Sequence, residues 1–127
     1  ELLPVWRALG REVNEVTLAE GVAPKGFNGF DPAAFVPNAD PTTAVKAVAA
    51  MVEFNRPSAK THSGVWRDLA VRKRRTEVDV QIAPIYQIGE KHGLECPTVR
   101  KLVAMIHEVE DGRRALDDDN LLELLTP

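Results

Sequence analysis

The sequence lacks the features that define several large classes of protein. It has one cysteine, Cys96, in 127 residues. That excludes an intramolecular disulfide framework and points to a reducing compartment, the cytoplasm. No stretch approaches the ~20 consecutive apolar residues of a helical membrane span, and the N-terminus shows no secretory signal pattern. Strand-like alternation is weak throughout, and there is no internal repeat or low-complexity tract. There is no Gly-x-Gly-x-x-Gly and no strand–turn–helix unit for phosphates, so this chain by itself does not supply a full dinucleotide site. The three histidines, His62, His92 and His107, have no metal-ligand spacing, and only Cys96 could join them. No metal site is expected. A net charge of -3 argues against a nucleic-acid binder that works by neutralising phosphates.

What is present is an ordinary globular mix, 44% hydrophobic and 28% charged. The length fits one domain, 1–127, large enough to bury a core. Leu2, Trp6, Leu9, Val13 and Val16 fall at helical spacing and predict an amphipathic helix ended by Gly21. A glycine-punctuated loop with Phe27 and Phe30 follows. Asp31-Pro32 and Asp40-Pro41 each read as a cap followed by a helix-opening proline. Ala44, Val45, Val48, Met51 and Val52 form the next apolar stripe. Asn55 to Lys60 is a connector. A third helix is expected from His62 to about Lys73. Thr76 reads as the N-cap of a fourth, with Asp79 closing a capping-box variant and a kink at Pro84. Gly93 ends it. Pro97 opens a helix with the face Val99, Leu102, Val103, Ile106 and Val109, stopped at Gly112. A short helix follows Asp117 to Asp119. The fold class is therefore an all-α helical bundle with short connections.

Chemistry concentrates between His62 and Asp79. Placing His62 beside Ser63 suggests a nucleophile, but neighbours in sequence diverge on a helix and no third triad member is marked. Ser63 is either a helix cap or a hydroxyl donor to a ligand carboxylate. Glu77, at a helix start, is either an acid favoured by the helix dipole or an acceptor for hydroxyl and amide donors. Asp68 reads as the ion-pair partner of a nearby arginine. Arg72 to Arg75 read mainly as solvated surface, with a phosphate grip as the functional alternative and no RNA-binding motif beside them.

The same stretch resembles the C-terminal domain of the ketopantoate reductase family. The residues that carry the likeness are Ser63-Gly64-Val65-Trp66-Arg67-Asp68, Thr76-Glu77-Val78-Asp79 and Gly93-Leu94-Glu95-Cys96-Pro97. They are similar to the family's Ser-Ser-Met-x-x-Asp, Thr-Glu-Ile/Val-Asp and Gly-x-x-x-Pro elements, in the same order. The resemblance implies an all-α domain like the C-terminal domain of 6-phosphogluconate dehydrogenase. It implies an N-terminal Rossmann domain that this chain, opening on Glu1 inside a helix, does not include. It implies NADPH as cofactor and a 2-oxo acid substrate, 2-dehydropantoate or a relative, reduced on the route to pantothenate. On that likeness Ser63 is similar to the serine that binds substrate, and Glu77 to the glutamate that reaches NADP. The proton-donor lysine is expected upstream, so no catalytic residue falls in this chain, and the fragment alone is expected to be inactive. Two departures stand out: Ile82-Ala83-Pro84 where the family often has Asn-Gly, and one residue inserted between Asp68 and Thr76. A homodimer is compatible with this picture. The competing class is a non-catalytic helical interaction module anchored by Trp6, Phe27 and Phe30.

Overall fold

The computed structural model describes residues 1–126. It is all-α, and the chain divides into two compact units, Glu1–Ala59 and Lys60–Pro127. Among the described residues the only extended pairing is an isolated bridge between Phe27 and Phe30.

The first unit contains α1 (Leu3–Ala19), a short 3-10 turn (Pro32–Phe35) and α2 (Pro41–Asn55). Pro4 lies in the first turn of α1, where its missing N–H costs no helical hydrogen bond. Gly21 (φ 71°) terminates the helix: its N–H reaches the Leu18 carbonyl, and the Val22 N–H reaches Thr17. That pair of bonds is a Schellman ending. Asp31 and Asp40 cap as expected, each carboxylate accepting the N–H two residues on, from Ala33 at 3.0 Å and Thr42 at 2.8 Å. The Thr42 amide, joined by its hydroxyl, holds the Asp40 carboxyl below its ordinary value.

The apolar stripes are rotated from their expected positions. In α1 the buried residues are Val5, Glu12, Asn14 and Val16, whereas Trp6 and Val13 are exposed. In α2 the buried residues are Ala44 and Ala47, whereas Val45 and Val52 are more than half exposed. The reason is close approach. Gly10 faces Phe35 so tightly that a Cβ there would lie 2.7 Å from the ring. Ala34, Phe35, Ala44 and Ala47 then form the core, with Leu3, Phe30 and Val48 packed around it. Buried Asn14 ties the turn to α1 by donating to the Gly10 and Pro32 carbonyls at 2.9 and 3.1 Å.

The second unit contains α3 (Gly64–Arg67), which runs on into a π turn (Asp68–Arg72), then α4 (Val78–Gln81), α5 (Ala83–Lys91), α6 (Pro97–Glu110) and α7 (Asp119–Glu123). Instead of the kink expected at Pro84, the helix breaks at Ile82 into α4 and α5, with Pro84 in the first turn of α5. Val78, Ala83 and Val103 make the core contact of α4 and α5 with α6, flanked by Ile82, Tyr86 and Ile106. Val78 and Val99 are essentially fully buried, each worth about 1.5–3 kcal/mol relative to exposure. Gly93 and Gly112 end α5 and α6 with the same pair of bonds that Gly21 makes. Among the described residues no helix is long and apolar enough to cross a membrane, and no buried side-chain polar atom lacks a hydrogen-bond partner.

The loop of the first unit depends on Gly29. Asn28 (φ 50°) and Gly29 (φ 80°) form a two-residue turn between Phe27 and Phe30, and a Cβ on Gly29 would lie 2.7 Å from the Ala50 carbonyl oxygen. Gly29→Ala is expected to destabilise the protein by about 2 kcal/mol, from positive-φ strain and overpacking together. Gly64→Ala, where φ is ordinary and nothing lies within 4 Å, should stay within about 1 kcal/mol of the parent. Urea denaturation of both variants checks the contrast, and equal losses would refute it.

Candidate functional site

Ser63 is the N-cap of α3. Its backbone is extended (ψ 166°) and its hydroxyl oxygen accepts the Trp66 N–H at 3.1 Å. Capping uses the oxygen as acceptor and leaves the hydroxyl hydrogen for another partner. Next to it, the His62 ring stacks on Trp66 at 3.6 Å and contacts the Thr61 hydroxyl through Nδ1. Ser63 and Trp66 line an apolar groove of about 310 Å³, with Leu69, Met105, Ile106 and Leu124 among its other walls.

After Arg67 the helix widens. Asp68–Arg72 is a π turn, and Lys73 (φ 51°) ends it in the left-handed conformation. The Asp68 carbonyl accepts from both the Lys73 and Arg74 N–H groups. A π turn closes its hydrogen bonds one residue later than an α-helix, i→i+5 rather than i→i+4. The buried Asp68 carboxylate accepts from Arg72 and Arg74, both at 2.8 Å. Those hydrogen bonds, Arg72 first, hold its carboxyl below the ordinary value. Asp68 is thus an ion-pair partner as the sequence suggested. The basic run is exposed, as expected, and Arg72, Arg74 and Arg75 also pair with carboxylates.

Arg75 leads to the second half of the site. It donates to Glu110 through Nη1 and to Asp111 through Nη2, both at 3.1 Å. Thr76 donates its N–H and its hydroxyl to Glu110 Oε1 at 2.8 and 2.7 Å. His107 meets Glu110 Oε2 through Nδ1 and Asp79 Oδ1 through Nε2, both at 2.8 Å. The Glu110 side chain is only 1% exposed. Burial alone would push its carboxyl up, but the Thr76 hydroxyl, His107 and the Thr76 amide outweigh burial and carry it down to about 2.

This geometry corrects the expected capping box. The N-cap of α4 is Glu77, one residue later than expected, and its side chain makes no cap bond. Thr76 still serves the helix start, accepting the Val78 N–H at 3.3 Å. Asp79 does not reach back to the cap because His107 holds it. Glu77 is exposed, and its carboxylate accepts from Gln81 at 2.6 Å within the same short helix. Glu77 does not line the groove at Ser63, and no hydrogen bond joins the two residues. The sequence reading missed Glu110, and weighed His107 only as a metal ligand, which it rejected. The available signal was their i, i+3 spacing on the last turn of α6, which puts an acid and an imidazole on one face.

The second unit is thus all-α, with a serine-capped helix that runs into a π turn and an anchored Thr-Glu-Val-Asp helix start. The chain belongs to the ketopantoate reductase family: the family model described as the C terminal of ketopantoate reductase PanE/ApbA matches residues 1–110. Comparison with curated proteins and with solved structures returns no match for this chain.

The Glu110 anchor has a direct consequence for stability. A carboxyl held down to about 2 contributes stability that is fully present above its unfolded value near 4.5 and is lost as pH falls through 2. Glu110→Gln is expected to cost about 3 kcal/mol at neutral pH, since it leaves His107 and Arg75 facing an amide. It should also flatten part of the stability decline below pH 4.5. Thermal unfolding across pH 2–7 measures both effects, and a variant as stable as the parent at pH 7 would refute the anchor.

Proposed function

We propose that this chain is the helical half of an NADPH-dependent reductase of a 2-oxo acid, 2-dehydropantoate or a close relative. Its partner in the same protein would be an N-terminal Rossmann domain that binds most of the nucleotide. The observation that carries the reading is the mounting of Glu77. Thr76, Val78 and Asp79 are committed to anchoring, through Glu110, the core and His107 respectively. Among the described residues the Glu77 carboxylate has no hydrogen bond or ion pair outside its own short helix. A fixed, outward carboxylate of this kind suits a cofactor hydroxyl or amide, which an ionised acid accepts from. Ser63 retains a hydroxyl hydrogen at the mouth of an apolar groove, which suits the carboxylate of a small oxo acid with an aliphatic side chain. The proton-donor lysine belongs to the upstream part of the protein. The chain would close one side of the cleft, exclude water and fix the reactants for hydride transfer. The buried Cys96 thiol suits a cytoplasmic setting.

The test follows NADPH oxidation by the full-length protein with 2-dehydropantoate and a panel of other 2-oxo acids, beside Glu77→Gln and Ser63→Ala. Glu77→Gln is expected to weaken NADPH binding, and Ser63→Ala to raise KM for the oxo acid. Loss of one hydrogen bond to a charged partner corresponds to roughly tenfold or more in each case. Unchanged kinetics in both variants would refute the two assignments. No oxidation with any substrate, from a folded protein, would favour an interaction module in which exposed Trp6 and Phe27 contact a partner.

A further inference from the structure

Both ring nitrogens of His107 face carboxylates at 2.8 Å, Nδ1 toward Glu110 and Nε2 toward Asp79. Ionised carboxylates only accept, and a neutral imidazole carries one N–H, so only the imidazolium makes both bonds. The other charged groups nearby are accounted for. Arg75 donates to the same Glu110 oxygen and to Asp111, and Arg113 donates to the far oxygen of Asp111. The other Glu110 oxygen is filled by Thr76. Two adjacent carboxylates therefore face the ring at contact distance, against one arginine that is itself shared between two acids.

We propose that His107 is a proton-linked positioning residue. As the imidazolium it pins Asp79 to α6 and so fixes the pose of Glu77 for NADPH, and on losing its proton it releases one of its two carboxylates. The role rests on the reading of Glu77 as a cofactor contact. The hydrogen bond to Glu110, then that to Asp79, raises the imidazole above its ordinary 6.5, with burial opposing. A raised histidine contributes fully below its unfolded value and loses that contribution as pH rises through the folded one. The Glu110 carboxylate needs pH above about 4.5 to contribute in full. The clasp is thus strongest between about pH 4.5 and 6.5 and loosens on the alkaline side. Water can replace the donor at Asp79, 66% exposed, but not at Glu110, 1% exposed, so the single N–H of the neutral ring stays with Glu110 and Asp79 is freed. Helix α4 has only four residues, Val78–Gln81, and Glu77 is its cap, so freeing Asp79 loosens the element that carries Glu77.

The experiment uses the full-length protein labelled with 13C-histidine. It reads the His107 titration by NMR and NADPH affinity by fluorescence between pH 5.5 and 9, beside His107→Arg, His107→Leu and Asp79→Asn. His107 is expected to titrate above 6.5, and Asp79→Asn to bring that midpoint down. NADPH affinity should fall as pH rises through the same midpoint. His107→Arg, whose fork can donate to both acids at every pH, should keep the affinity and remove this limb of the profile. His107→Leu should show the weakened affinity at all pH values. A His107 midpoint at or below 6.5, or a profile unchanged in His107→Arg, overturns the proposal. Failure of the Glu77 reading looks different: Glu77→Gln then leaves affinity unchanged while the ring titrates as expected, and that result removes the positioning role as well.

Discussion

The carboxylate of Glu110 sits at the end of α6 with 1% of its side chain exposed. Placing an ion there costs several kcal/mol unless its lone pairs are filled. They are filled four times over, by the Thr76 amide and hydroxyl on one oxygen and by Arg75 and His107 on the other. The mounting of the Thr76–Asp79 segment hangs from that anchor. It fixes where the chain turns after the π segment, it sets the start of α4, and through His107 it takes hold of Asp79. The apolar contact of Val78 and Ala83 with Val103 holds α4 down. The polar anchor decides which way its first residue points.

The residues between Ser63 and Asp79 divide accordingly. Asp68, Arg72 and Arg74 form one ion-paired knot around the π turn, and Arg75, Thr76 and Asp79 a second around Glu110 and His107. Exposed surface pairs of this kind contribute little individually. Here each knot closes on a carboxylate removed from water, so its value is in geometry as well as energy. Ser63 and Glu77, one at each end, are left with capacity for an external partner.

Much of this fold was legible in the sequence because its signals are local. Asp31-Pro32 and Asp40-Pro41 cap helices within two residues of themselves, and Gly21, Gly93 and Gly112 end helices through their own φ. The Ser63, Thr76–Asp79 and Gly93–Pro97 elements carried the family likeness, and all three fall within the matched span of 1–110. What failed depends on neighbours far along the chain. The buried faces of α1 and α2 are set by Gly10 accepting the Phe35 ring, and small residues rather than large ones mark them. Asp79 was read as a cap because its distance to Thr76 is visible in sequence, whereas His107, 28 residues away, is not. The Asn28-Gly29 pair was a readable two-residue turn signal, taken only as part of a loop.

Two segments flank the anchored turn. The π turn lies upstream of Arg75, and beyond it Thr76 meets Glu110. Ile82-Ala83-Pro84 falls downstream, where it splits one helix into α4 and α5 but keeps Ala83 buried against Val103. The groove at Ser63 is different: part of its wall, including Leu121 and Leu124, comes from residues beyond the matched span of 1–110. That wall is tied down by Lys101, whose ammonium donates to the Glu123 and Thr126 carbonyls, and by Arg114 bridging Glu108 and Glu123. On the proposed reading, the cofactor side of the site is built from the family's shared elements. The substrate side is shaped in part by residues outside the matched span, so a shared hydride-transfer chemistry and a distinct oxo acid are compatible in one fold.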